Sequence, residues 1–509
     1  MKDSLPGWNS LKQLKDLPPW AGIVLIVLIA LLKLAALIHY GPYLPSDSGN
    51  NPMGYLTYAR LLLDEGPMLP EAELPAVVFF RTCGFPALLA LSITLFGENY
   101  QWALAALQSM GTLWMITLLY IITHRITHSV AWSCLAALIY AFSPSFQFDL
   151  FIQTDTLYAA LVSTIYLYYF SKAIQGSPPS YMGTIIVSLG LIVATLLREF
   201  TLILSLLLLP LFFLIRRATP ETESFPMLRH LALLYLSLAL TVGSIVLWNK
   251  HLTGTAFLAG GGQTAFFYPL ARMGMKEPHR LRPDEILIDR LIMERIEKMR
   301  TETHWRKNQM DDVIVQYTRG ALLDKGWHYL EIHDAAKKRY LQMAFEHPGF
   351  LIREAFSEWF PRGIGAVFTP LLNVERLDQY ILGIPRQPII TSYSGLNKAL
   401  WIDSTLSEKL ILIGRFVPLG IALLLFLLYI PGFPIVAWRA WKRKESAHTQ
   451  LILSLGAIWI FYIGFLGLYS PINYETRYTL PALPALILCA LFSARYLLFN
   501  RRTLSRKPS

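Results

Sequence analysis

The stretch Ala21–Leu37 reads AGIVLIVLIALLKLAAL, an apolar run with a single charged residue. A helix needs about 20 mainly apolar residues to cross the hydrocarbon core of a bilayer, which is roughly 30 Å thick. The 509-residue chain repeats such runs, at Trp102–Ile122, Val130–Ser143, Thr156–Phe170, Met182–Leu197, Thr201–Ile215, Leu231–Trp248, Leu410–Ile430, Leu451–Leu468 and Leu480–Phe499. The pattern predicts an all-α polytopic membrane protein with about ten transmembrane helices.

Composition agrees with this class. Hydrophobic residues make up 54% of the chain and charged residues 16%, against roughly 25% charged residues in soluble domains. The net charge of +11 does not indicate nucleic-acid binding, because much of the basic excess lies beside the apolar runs. Cys83, Cys134 and Cys489 are too scattered for a disulfide framework or a zinc site.

Basic clusters between the apolar runs predict the orientation, because Lys and Arg accumulate on cytoplasmic loops. They lie around Arg216–Arg217, Arg439–Lys444 and Arg501–Lys507, and further lysines precede the first run. We expect that run to be an uncleaved first helix of a plasma (cell inner) membrane protein, with both termini cytoplasmic.

Three regions follow from this orientation. Residues 1–249 form a transmembrane module with an outer loop at 40–101. Residues 250–409 form a large, mainly helical extracytoplasmic loop domain. Residues 410–509 form C-terminal transmembrane helices and a basic cytoplasmic tail. The loop domain is rich in charges of both signs, and Asp284–Arg300 has the apolar spacing of an amphipathic helix.

The run Met182–Ile215 is too long for one crossing, at about 50 Å for a continuous helix. The charged pair Arg198–Glu199 lies in its middle. Placing that pair at the outer interface divides the run into two short spans.

Several ionisable residues lie at predicted membrane boundaries, where charge is costly and often functional. Asp47 follows the first helix and could act as a base, or form a loop turn. Arg81, between Phe80 and a Gly-x-Pro turn, could bind a phosphate or extend to lipid headgroups. Asp155 could belong to a site or cap the fourth helix.

Three more such residues are Arg198, Glu475 and Arg477. Arg198 could hold a phosphate or pair with its neighbour Glu199. In the predicted topology these positions and the three above all lie on the outer side. Snorkelling residues would occupy both faces, so this one-sided distribution favours a site.

No metal site is expected. His328 and His333 are poorly spaced to be two ligands on one helix face, and Asp311–Asp312 lacks a calcium-loop pattern. We also expect no bound cofactor.

An ordered set of short motifs resembles a known family. The pieces include SDS at Ser46–Ser48, YLTYARLL at Tyr55–Leu62, RTCGFP at Arg81–Pro86, TDTL at Thr154–Leu157, ATLLR at Ala194–Arg198 and ETRYTLP at Glu475–Pro481. Their order and spacing are similar to membrane glycosyltransferases of the GT-C superfamily, in the branch of protein O-mannosyltransferases and the lipid A aminoarabinose transferase.

The resemblance implies a GT-C-like helical bundle and a polyprenyl-phosphate sugar donor. It implies catalytic roles for Asp47 as base and Asp155 as a second acid. Arg81 would meet the donor phosphate, and the further donor or substrate contacts would be Arg198, Arg477, Glu475 and Tyr55. The chain departs from the family pattern at Ser48 and Cys83, where relatives often carry an acid and a proline.

The expected reaction is a single displacement at the anomeric carbon on the extracytoplasmic face, with inversion. The acceptor is a glycan, lipid or protein hydroxyl, and membrane lipids are the other partners. Two other classes remain open: a polysaccharide polymerase or ligase that uses a lipid-linked oligosaccharide, and a lipid or sugar transporter. A scaffold would leave the one-sided charges unexplained.

Overall fold

The computed structural model describes residues 17–18, 20–42, 55–66, 82–141, 154–198, 201–219, 226–258, 265–302, 310–357, 390–392, 395–396, 423–442, 446–469 and 480–499. These residues are almost entirely helical. The first ten helices are α1 Trp20–Tyr40, α2 Tyr55–Asp64, α3 Gly84–Phe96, α4 Tyr100–Thr127, α5 Val130–Ala141, α6 Thr154–Gln175, α7 Tyr181–Leu197, α8 Thr201–Leu207, α9 Leu209–Ala218 and α10 Met227–Thr253.

The second half continues with α11 Phe267–Lys276, α12 Leu287–Thr301, α13 Met310–Asp324, α14 Tyr329–Glu346 and α15 at 348–357. A short antiparallel ladder joins β1 Ile390–Ser392 to β2 Gly395–Leu396. The last helices are α16 Leu423–Lys442, α17 Ser446–Tyr469 and α18 Leu483–Phe499.

Five helical stretches are long and apolar enough to cross a membrane: Trp20–His39, Gly84–Thr127, Met227–Thr253, Leu423–Lys442 and Leu480–Leu498. Three shorter apolar helices are Val130–Ala141, Tyr181–Leu197 and Thr449–Gly464. Gly84–Thr127 contains two helices, because Gly97 has a φ of +55° and a 3₁₀ turn separates α3 from α4. The described helices therefore support a membrane protein, at a coarser level than a ten-span count.

Two predicted segments differ from the structure. Thr201–Ile215 is not one helix, because α8 ends at Leu207 and α9 begins at Leu209 with Pro210 in its first turn. Proline lacks the N–H that would continue the helical hydrogen bonds. The predicted Leu410–Ile430 begins outside the described residues, and α16 continues through a π-turn, Leu428–Gly432, to Lys442.

Residue contacts give the directions of the bundle helices. Helix α7 runs antiparallel to α6, since Arg198 meets Tyr158 at one end and Gly183 packs on Tyr168 towards the other. Helix α10 begins beside the start of α7, where Thr184 Oγ1 lies 2.6 Å from His230 Nδ1. The end of α10 therefore lies near Arg198.

The opposite end of the bundle is fixed by polar contacts to backbone carbonyls. Arg495 Nη1 donates to Ile126 O at 3.2 Å. Gln450 Nε2 donates to Ala173 O at 3.0 Å and to Leu214 O at 3.1 Å. We call these two faces the Arg198 end and the Arg495 end.

Helices α11 to α15 enclose a hydrophobic core of their own, built on residues such as Phe267, Ile292, Val315 and Phe350. The predicted apolar face of Asp284–Arg300 is confirmed, with Leu291, Ile292 and Ile296 buried. From here on, the name loop domain refers only to residues 265–357, the part of the predicted loop at 250–409 whose helices share this core.

A buried ion pair crosses the loop domain. Both oxygens of Asp289 accept from Arg339, at 2.9 and 2.8 Å, and Asp289 also accepts from the backbone N–H of Arg282 at 2.8 Å. Lys276 on α11 donates to the buried Glu354 of α15. These contacts tie the ends of the domain's sequence together.

Candidate active site

Four of the predicted site residues, Asp47, Arg81, Glu475 and Arg477, lie outside the described residues. Asp155 occupies the first turn of α6, and its side chain also lies outside the described part of the chain. Tyr55 and Arg198 are described in full. The geometry of the site is therefore traced through these two residues and the described neighbours of the other motifs.

Tyr55 opens α2 and packs against α3. Its ring meets the buried Phe85 edge to face, with centroids 5.1 Å apart and an interplanar angle of 81°. Tyr55 begins YLTYARLL and Phe85 belongs to RTCGFP, so this pair brings the two motifs into contact.

Gly84 brings the same motif to the end of α7. A Cβ at Gly84 would overlap the carbonyl oxygen and side chain of Leu196. Only a residue without a side chain allows this close approach of a helix start to another helix backbone. Leu196 lies two positions before Arg198, so RTCGFP and ATLLR meet here.

Arg198 lies where the sequence analysis placed a break between two spans. Helix α7 ends at Leu197, and Arg198 takes an extended conformation with φ −153° and ψ 130°. Its carbonyl accepts from the hydroxyl of Thr201 at 2.8 Å, which turns the chain into α8. The break is thus built by a local cap rather than by a glycine or a proline.

The Arg198 guanidinium lies over the ring of Tyr158, with Cζ 5.8 Å from the ring centroid. Arginine stacks on aromatic faces through a cation–π attraction that strengthens away from water, and Tyr158 is buried. Tyr158 directly follows TDTL in the sequence of α6. The contact therefore places the end of ATLLR beside the residue next to TDTL.

A small aromatic cluster closes the same end of the bundle. Tyr58 and Leu252 are buried together, with Tyr55, Cys83 and Trp248 packed against them. Burial and the nearby Cys83 raise the pKa of Tyr58 to about 12, so it remains a neutral phenol at physiological pH. The cluster packs the end of α10 against YLTYARLL.

The last motif is tied to the centre of α6. Ser163 Oγ donates to Pro481 O at 2.7 Å, a buried bond between residues 318 positions apart. Ser163 lies eight positions after Asp155, about 12 Å along the helix at 1.5 Å per residue. ETRYTLP therefore ends beside the helix that begins with TDTL.

The Arg495 end has a different character. The last turns of the helices that reach it carry His124, Arg125, Lys172, Arg216, Arg217, Arg439 and Lys442. Their contacts include Ser171 Oγ, 3.1 Å from Arg125 Nη1, and the ring of Trp438, whose centroid lies 4.7 Å from Lys442 Nζ. The bundle thus separates a basic end from an end where motif residues converge.

Some residues of the bundle interior were not predicted as candidates. Tyr158 had a signal, its spacing from Asp155, whereas the contact of Trp248 with Tyr58 depends on folding alone. Lys33, a buried lysine within α1, was visible as the one charge in its apolar run.

The two histidines considered as ligands have structural roles. His328 caps α14 and forms a reciprocal capping box with Glu331, and His333 packs near Phe266. Within the described ranges, no group of three or more His, Cys, Asp or Glu side chains could hold a metal ion.

Searches for relatives gave no match: neither a protein-family model nor a curated protein matches the chain.

Proposed function

We propose that the chain is an integral-membrane glycosyltransferase that moves a sugar from a polyprenyl-phosphate donor to a hydroxyl of a glycan, lipid or protein. One observation carries the proposal. Pieces of three motifs that resemble GT-C enzymes, and Tyr158 directly after a fourth, meet at one end of the bundle through Tyr55–Phe85, Gly84–Leu196 and Arg198–Tyr158. Helices packed only for stability would not require these motifs to converge.

In the proposed orientation, the Arg495 end faces the cytoplasm and the Arg198 end faces the opposite side of the membrane. Its support is the row of basic residues at the Arg495 end, as expected of a cytoplasmic face. The loop domain follows the end of α10, beside Arg198, and so would be extracytoplasmic.

A count of about ten spans is also part of the proposal. Helix α1 begins at the Arg495 end, because its Gly22 packs on Tyr120 near the end of α4. From α1 onward, successive passes would alternate in direction between the two ends. Helices α8 and α9 together make one pass, because Ala218 O lies beside Gly176 at the Arg495 end. The termini would then both be cytoplasmic, in a plasma or inner membrane.

The proposed chemistry uses each residue for one step of a single displacement. The acceptor oxygen bonds to the anomeric carbon as the bond from that carbon to the phosphate oxygen breaks. Asp47 takes the acceptor proton, and the polyprenyl phosphate leaves with added negative charge. Arg81, Arg198 and Arg477 would stabilise that charge, and fixed donors of this kind act strongly in a water-poor site.

Asp155, Glu475 and Tyr55 complete the proposed site. Asp155 would be a second acid near the Arg198–Tyr158 pair, because it lies three positions before Tyr158 in α6. The ring of Tyr158 limits the directions that the Arg198 guanidinium can take. Such pre-orientation reduces the reorganisation required when charge develops on a leaving group.

The test is transfer by the full-length protein in nanodiscs, with radiolabelled polyprenyl-phosphate sugars and a panel of acceptors. Arg198→Ala should lower the transfer rate by about 10²–10³, the usual effect of removing one oxyanion donor. The matched control is Arg125→Ala, an arginine at the Arg495 end, which should leave the rate unchanged. Equal losses in both variants would contradict the proposal.

Asp47→Asn separates chemistry from binding. It should abolish transfer while the labelled donor still binds, and a fully active variant would remove Asp47 as the base. A donor that crosses the membrane without product would indicate a transporter. Product formed only from a lipid-linked oligosaccharide would indicate a polymerase or ligase.

A further inference from the structure

The loop domain is held close to the end of α10. Helix α10 ends at Thr253, and Asn249 Nδ2 then donates to Phe257 O at 2.8 Å and Leu258 O at 2.9 Å. The side chain of Asn249 thus draws the chain back beside the last turns of the helix.

Only a few residues separate Leu258, the last residue bonded to Asn249, from the loop domain. From Leu258 to Ala265, where the domain begins, the chain can span at most about 25 Å at 3.3–3.6 Å per residue. A domain of this size is itself about 30 Å across. The start of the loop domain therefore lies within about 25 Å of Leu258, beside the end of α10.

Two consecutive helices of the loop domain expose large apolar side chains. Helix α14 exposes Leu341 and Phe345, and α15 exposes Ile352 and Phe356, each pair four residues apart. Phe345 is 85% exposed and Ile352 57%. Side chains four apart lie on one face of a helix, while the opposite faces bury Met343 and Phe350 in the core.

Cations accompany these apolar side chains. Lys337 and Lys338 are exposed one turn before Leu341 on α14. Arg353 is exposed beside Ile352, and its guanidinium pairs with Glu277 and lies 5.6 Å from the centroid of Phe350. Apolar residues flanked by lysine and arginine are typical of helices that lie in the bilayer interface.

We propose that this face, Lys337–Phe345 of α14 with Ile352–Phe356 of α15, rests on the phospholipid surface around the Arg198 end. The proposal rests on the membrane insertion proposed above but not on the transfer reaction. The short connection brings the domain to the bilayer, and the apolar residues and cations match its acyl and phosphate layers. The contact would hold the loop domain beside the candidate site.

The test is photocrosslinking with benzoylphenylalanine in the full-length protein, in nanodiscs with one chain each. The label replaces Phe345 or Ile352, and the control replaces Glu297, an exposed position on α12. The lipids are phosphatidylcholine with phosphatidylglycerol. Mass spectrometry should find phospholipid adducts at both test positions, with a yield several-fold above that of the control.

Adduct yields at positions 345 and 352 no higher than at 297 would overturn the proposal. So would crosslinks to a second copy, in nanodiscs that hold two chains, with no lipid adduct. Incorporation into nanodiscs tests membrane insertion separately, so a failed contact is distinguishable from a failed membrane assignment.

Discussion

The bundle and the loop domain bury polar groups in different ways. In the bundle, many buried hydroxyls bond to a carbonyl one turn back in their own helix, as Thr127 does with Thr123 O at 2.7 Å and Thr195 with Leu191 O at 2.7 Å. In the loop domain, the buried Asp289 and Arg339 form an ion pair between residues 50 apart. A helix in an apolar medium must satisfy polar groups locally, whereas a domain folded in water can use charges as distant cross-links.

The largest expected effect comes from breaking the ionic cross-link. Arg339→Met leaves Asp289 buried without its cation and should destabilise the loop domain by about 3–5 kcal/mol. Hydrogen exchange of α12 and α14 in the full-length protein measures this as faster opening. Arg353→Met, at an exposed pair, should cost under about 1 kcal/mol.

The double variant Asp289→Leu with Arg339→Met refines the same comparison. Removing both charges should recover much of the loss, because no lone charge remains buried. If the double variant opened as fast as Arg339→Met, the buried charge would not be the cause.

The second effect concerns close packing in the bundle. Gly84→Ala forces a Cβ against the backbone of Leu196 and should cost about 1–3 kcal/mol, as overpacking does. The rate of sugar transfer should fall together with the melting temperature, because the added Cβ moves RTCGFP and the adjoining YLTYARLL away from Arg198. Gly243→Ala, with open space around its Cα, should be neutral or stabilising in the same melts.

A smaller effect is expected at Ser163, a buried hydroxyl that departs from the local pattern. Ser163 bonds to Pro481 O in a distant segment, and Ser163→Ala should cost about 1 kcal/mol through the loss of this hydrogen bond. Ser244→Ala removes a bond within one exposed turn and should change the melting temperature little. Equal shifts would show that Ser163 has no special role.

The smallest effect is a pH dependence of the loop domain. Burial lowers the pKa of His333 below its ordinary value of 6.5, so the unfolded state takes up a proton first as the pH falls. Domain stability should therefore be full above pH 6.5 and decline below it, by less than about 1.4 kcal/mol per pH unit. Hydrogen exchange across pH 5–7 should show a flatter profile for His333→Gln.

The sequence predicted the helices well because their cause is local. Apolar runs of membrane length had to form helices, and the length limit alone required a break near Arg198. The break at Leu208 was missed, although Pro210 was visible, because two short apolar helices resemble one long run.

The candidate site was predictable as a set of motifs but not as a set of contacts. The contacts depend on how two helices rotate and slide against each other. This holds for Arg198 with Tyr158 and for Gly84 with Leu196. Composition carries no such information, and neither did the spacing of residues within each motif. The geometry around Asp47, Arg81, Glu475 and Arg477 stays a prediction, since they lie outside the described residues.

The hydrogen bonds from Asn249 to Phe257 O and Leu258 O keep the start of the loop domain beside α10. This position matters while the chain is being synthesised. Between the end of α10 at Thr253 and the start of α16 at Leu423 the ribosome adds about 170 residues, which takes roughly 10–30 s at 5–20 residues per second. In the proposed topology, the helix that follows the loop domain is not yet in the membrane during that interval. The core of the domain and the Asp289–Arg339 pair lie wholly within residues 265–357, so the domain can finish folding before that helix is made.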